Sequence, residues 1–187
     1  MIRLALLLVA GLSTCLAMPS SAQAPTSAEA LQTLFADEWE RSLRDSPEVA
    51  SSVGDTRYDD RWTDLRLGAI AAREAADRTA LERLQAIDRR TLPASGQSQY
   101  DTFEWQLLRA VERQKFREYL QPIDHQGGPQ TADGIAEMMP FATVADCRKF
   151  LARMAALPEL IDQSIALMRE GVKVGHMPPR VRSTPSA

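Results

Sequence analysis

One polar cluster stands apart from the solvated faces of this sequence: Arg57-Tyr58-Asp59-Asp60-Arg61-Trp62. Two carboxylates between two guanidiniums, beside aromatic rings, could hold a polar ligand through charge-assisted hydrogen bonds and stacking. The same residues have an internal use, in which Asp59 and Asp60 satisfy loop N–H groups, Arg61 pairs locally and Trp62 packs. Paired carboxylates perform acid–base chemistry only when their environments push them apart. Arg57, Tyr58, Asp59, Asp60, Arg61 and Trp62 are therefore candidates for ligand binding, and no residue is assigned a catalytic role.

Other chemistry finds no residues to carry it. A helical zinc-protease site needs two His four residues apart with a Glu between them, and the only two His, His125 and His176, lie in separate loop and tail segments. Each reads as a surface residue, and no metal site or cofactor is expected in this chain. Cys147 falls on an apolar helical face, where a thiol is usually packing material. Gly127-Gly128 follows no strand and opens no immediate helix, so it is not a phosphate loop, and no Gly-x-Ser-x-Gly elbow occurs.

The elements that must position these residues read as helices throughout. Leu31, Leu34, Phe35, Trp39 and Leu43 form a stripe over residues 27 to 45, capped by Thr26 or Ser27 with Glu29 in the first turn. Ser46 and Pro47 should open a short helix whose Val49, Ala50 and Val53 face inward and which Gly54 ends. A polar connection, 55 to 63, leads to a long helix over 64 to 90, with Ile70, Ala76, Ala80, Leu84 and Ile87 as its stripe and Glu74–Arg78 on its solvated face. The next, 98 to 120, carries one apolar set of Tyr100, Phe103, Leu107 and Val111 and another of Trp105, Leu108, Phe116 and Tyr119. It therefore wants neighbours on both sides. Residues 121 to 142 are an irregular crossing broken by Gly127, Gly128, Gly134 and Pro140. Thr143 with Asp146 resembles a capping box opening a helix striped by Cys147, Phe150, Leu151, Met154 and Leu157. Pro158 starts the last helix, with Ile161, Ile165 and Met168 inward and Gly171 as its stop. With no strand pattern beyond three or four residues and no repeat, the fold class is all-α, about five helices in an irregular array.

Composition bounds the rest. The chain of 187 residues is 44% hydrophobic and 25% charged, which excludes a disordered or low-complexity chain, and its two Cys exclude a disulfide scaffold. A net charge of −3 offers no concentrated positive field for nucleic acid. Arg3 and the apolar run from Leu4 to Leu12, too short to span a bilayer, read as a signal peptide. Both Ser20-Ser21-Ala22 and Ala22-Gln23-Ala24 fit a cleavage site. Cutting after Ala22 is preferred because cutting after Ala24 leaves Pro25 first. The alternative, Leu12-Ser13-Thr14-Cys15, resembles a lipobox that would acylate Cys15. A periplasmic or secreted location is expected, with no transmembrane span. The organisation expected is a signal peptide at 1–22, a helical N-terminal domain at 23–181 and a short polar tail at 182–187.

The order of short motifs resembles a known family. Ser46-Pro47-Glu48, Gly54 with Tyr58-Asp59-Asp60-Arg61, Leu84-x-x-Ile87-Asp88 before Leu92, Tyr100-Asp101, Met168-Arg169-x-Gly171, Gly175 and Pro178-Pro179 are similar in order and spacing to the N-terminal part of the bacterial domain-of-unknown-function family 885. The resemblance covers nearly all of residues 27 to 180. It implies the front of a larger, exported, mostly helical metallopeptidase, in which an HExxH-type zinc helix belongs to the C-terminal half. Zinc is thus expected only in full-length relatives. After Pro178-Pro179-Arg180-Val181 this chain departs into Arg182-Ser183-Thr184-Pro185-Ser186-Ala187, an ending that a premature stop, a frameshift or a short paralogue would produce. Two readings follow: an exported N-terminal fragment of a metallopeptidase-like protein, inactive alone, or a self-contained periplasmic binding module. Both leave exposed apolar helix faces for self-association or an unknown protein partner.

Overall fold

In a computed structural model, the structure describes residues 25–124 and 127–177. The expected signal peptide, Cys15, His125, Pro178-Pro179 and the polar tail lie outside them. The described residues form six α-helices and no strand: α1 (Ser27–Asp45), α2 (Pro47–Ser52), α3 (Leu67–Gln85), α4 (Ala94–Arg113), α5 (Val144–Ala155) and α6 (Leu157–Lys173). Short 3-10 turns link them, the longest being Pro129–Glu137 within the irregular crossing. None of these helices is long and apolar enough to cross a membrane.

Local chemistry sets the helix ends. Thr26 and Thr143 each build a full capping box, the hydroxyl accepting from the third helical N–H while Glu29 or Asp146 accepts from the cap's own N–H. Asp64 accepts from the backbone N–H of Arg66, a local turn that delays α3 to Leu67 instead of the expected residue 64. At its other end Asp88 accepts from the N–H of Arg90, which converts the expected last turn into a 3-10 turn. Pro93 precedes α4, so that helix starts four residues earlier than expected. It breaks at Arg113 into 3-10 turns that meet at Arg117, a residue with φ +50°.

Two packed regions result. Leu31 and Leu34 of α1, Ala80 and Leu84 of α3, Leu92, and Tyr100 and Leu107 of α4 form the hydrophobic core, with Phe35 and Phe103 meeting edge to face at 5.1 Å. Trp39, at the margin of the α1 stripe, is exposed instead of packed. The expected Glu74–Arg78 pair is replaced by a link between helices: Arg78 donates to Gln114, whose side chain donates to the Glu74 carbonyl. In the second region Leu167 and Gly171 of α6 pack with Leu120 and the Pro129–Glu137 turn.

Gly171 is not the helix stop that its position suggested. The helix runs on to Lys173, and Gly175, at φ +73°, ends it. Gly171 serves close approach, because a Cβ there would stand 3.0 Å from the carbonyl oxygens of both Leu120 and His176. Gly68, inside α3, has nothing within 4 Å of its missing Cβ. Gly68→Ala, in the first turn of α3, should therefore be neutral or stabilise by up to about 0.5–1 kcal/mol, while Gly171→Ala should lower Tm. Thermal unfolding of both variants checks this, and equal shifts would contradict it.

Hydrogen bonds also tie stability to pH. The backbone N–H of Thr26, then its hydroxyl, hold Glu29 below the usual carboxylate range. The Thr143 hydroxyl, then its N–H, do the same for Asp146. A carboxylate with a lowered folded pKa contributes stability above its unfolded value and loses it as pH falls through the folded one. Urea midpoints should fall below about pH 4, and Asp146→Asn should flatten that acid slope. An unchanged profile in the variant would contradict the assignment.

Candidate functional site

The expected ligand cluster sits around one buried cation that the sequence reading had not singled out. Arg153 of α5 is 0% exposed. Its Nε donates to the Arg61 carbonyl at 2.8 Å, Nη2 to the Tyr58 carbonyl at 3.0 Å and Nη1 to Ser51 Oγ at 3.0 Å. Ser51 passes the interaction on, donating to Asp59 Oδ1 at 2.5 Å. The guanidinium lies 5.2 Å from the centroid of the Trp62 ring, and Trp62 Nε1 donates back to the Arg153 carbonyl at 2.7 Å. Burial pushes the Arg153 pKa down, and the carboxylates of Glu48, Asp59 and Asp60 oppose that shift. A guanidinium remains charged through any such shift.

The six expected residues therefore divide. Asp59, 1% exposed, points inward to Ser51. Tyr58 and Arg61 give their backbone carbonyls to Arg153, and Trp62 lies beneath it. Asp60 pairs with Arg61 at 3.0 Å. Arg57 stays exposed, chelated by Asp55 and Glu40, which raise its pKa. Both Arg57 and Arg61 approach the Tyr58 ring. Tyr58, Asp59, Arg61 and Trp62 are thus gathered around a side chain of the same chain, while Arg57 and Asp60 pair at the surface.

This arrangement explains where the helical stripes differ from expectation. In α2, Ala50 and Ser51 turn inward while Val49 and Val53 are exposed, which places the Ser51 hydroxyl between Arg153 and Asp59. In α5, Arg153 faces the body and Lys149 donates to the Thr56 carbonyl at 2.7 Å. Cys147 is accordingly exposed rather than packed, with Leu151 64% and Val144 68% exposed. Ser46 caps α2 by position only, without a side-chain hydrogen bond. A signal for Arg153 was present: with Phe150 and Leu157 it follows the i, i+3, i+7 spacing of an inward stripe, an unusual place for a charge.

Residues 47–185 match the family described as bacterial protein of unknown function (DUF885). The chain belongs to the DUF885 family. The DUF885 match opens at the first residue of α2 and contains every member of the Arg153 cage, while α1, which supplies Leu31 and Leu34 to the core, precedes it. No curated protein matches the chain. Among the described residues no three His, Cys, Asp or Glu gather where they could hold a metal ion.

Removing the cation should be costly in a way that ordinary surface arginines are not. Arg153→Ala strands two carbonyls, the Ser51 hydroxyl and a buried Asp59, so a loss of about 3–5 kcal/mol is expected in urea unfolding. Arg153→Lys should recover only part of it, since an ammonium lacks the planar fork that reaches all three acceptors. A loss under about 1 kcal/mol for alanine would contradict the cage.

Proposed function

We propose that this DUF885 protein is the exported, non-catalytic helical part of a metallopeptidase-like architecture, a unit that positions rather than performs chemistry. The observation that carries this reading is the use made of Arg57 to Trp62. Asp59, Trp62 and the backbone carbonyls of Tyr58 and Arg61 are occupied in holding α5 to the loop after α2, while the Arg57, Asp60 and Arg61 side chains pair locally. Export rests on the leader pattern at 1–22, and the metallopeptidase connection rests on the motif resemblance, for which the family match supplies the family alone.

Exposed apolar residues support a role in docking. Trp105 is 60% exposed, and Leu108 and Phe116 also face away from the core, on the α4 side expected to want a second neighbour. Val144 and Leu151 on α5 and Ile161 and Val172 on α6 add further outward apolar positions. A groove beside Trp62 favours the second reading, a binding module.

The test is direct. The chain, expressed in a bacterial host and purified from the periplasm with its N-terminus read by intact mass, should begin after Ala22. With zinc added it should hydrolyse peptides no faster than zinc in buffer. Hydrolysis that requires zinc and the folded chain, and that a chelator removes, would overturn the proposal.

A further inference from the structure

A groove of about 450 Å3 lies where the loop after α2, the Pro129–Glu137 turn and α6 come together. Its walls are Trp62, Leu65, Ile135, Met138 and Leu160, and among the described residues the one titratable side chain in its lining is Glu48. Volume and composition fall within the range of small-molecule sites, which are apolar with a few placed polar groups.

Glu48, Asp59 and Asp60 all lie within the field of the buried Arg153 guanidinium, but they differ in their hydrogen-bond partners. Asp59 is linked to Arg153 through Ser51, and Asp60 is paired with Arg61. Glu48 has neutral donors only: its Oε1 accepts from the Thr63 N–H at 3.1 Å and its Oε2 from the Thr63 hydroxyl at 2.5 Å. Arg153 feels Glu48 through space but makes no ion pair with it. A carboxylate offers about four acceptor sites, so Glu48 retains capacity for a further donor. Trp62 is fixed beforehand, its ring against the Arg153 guanidinium and its Nε1 on the Arg153 carbonyl. Preorganised walls reduce the ordering cost of binding.

We propose that this groove binds a small aromatic amine, the ring against Trp62, Leu65 and Leu160 and the ammonium on Glu48. An anion of the same shape would meet the Glu48 carboxylate, and a neutral one would leave its remaining acceptor capacity unused.

Titration calorimetry of the purified chain with tryptamine, 3-methylindole and indole-3-acetate tests this without any variant. Tryptamine should bind at least about tenfold more tightly than either analogue. Glu48→Gln, which keeps a partner for Thr63, should remove that preference, and Leu160→Phe should weaken tryptamine by filling the groove. Thermal melts identify a variant that has lost its fold, in which case the wild-type ligand comparison decides. Equal affinity for the three ligands, no binding at millimolar concentration, or an undiminished preference in folded Glu48→Gln would overturn the proposal.

Discussion

A guanidinium enclosed by protein must find acceptors for its donors and a counter-charge, and in this chain that requirement fixes how α5 meets α2 and the loop after it. Arg153 meets it with two loop carbonyls, a hydroxyl that leads to Asp59 and the face of Trp62. Leaving a buried charge short of partners costs about 3–5 kcal/mol, against about 1.5–3 kcal/mol for leaving one aliphatic side chain exposed. The rotation of α5 follows: Arg153 goes in, and Val144, Cys147 and Leu151 stay out.

The molecule is consequently held by two kinds of interaction. Packing of Leu31, Leu34, Ala80, Leu84, Leu92, Tyr100 and Leu107 builds the core of α1, α3 and α4. The later helices reach the front of the chain largely through hydrogen bonds. Lys149 donates to the Thr56 carbonyl, Arg153 to the Arg61 carbonyl, Trp62 Nε1 to the Arg153 carbonyl and the Leu65 N–H to Gln163. Such contacts are directional, so they fix one arrangement where apolar surfaces alone would tolerate several. A groove beside Trp62 inherits that rigidity, which is what suits it to a ligand.

How far the sequence discloses this depends on distance along the chain. The capping boxes at Thr26 and Thr143 need residues three apart and were legible, as were the all-α class and most helix positions. Asp64 and Asp88 show the same local chemistry working against the expected boundaries, since each accepts from an N–H two residues on and redirects a terminus. The cage was not legible as such, because Arg153 and Ser51 stand 102 positions apart and nothing in either segment names the other. The six residues from Arg57 to Trp62 were identified from their types, while the partner that engages them comes from α5. Glu48 drew notice only as part of a motif, and its place in the groove depends on Thr63 and α6.

Tyr58 to Trp62 form the internal attachment of α5 rather than an open site. Hydrogen exchange read segment by segment in wild type and Arg153→Met addresses that claim most directly, since local opening is resolved where global unfolding is not. Protection should fall in α5, in α6 and in residues 56 to 65, while α1, α3 and α4 keep theirs. Unchanged protection in α5, or a uniform loss across all six helices, would contradict it.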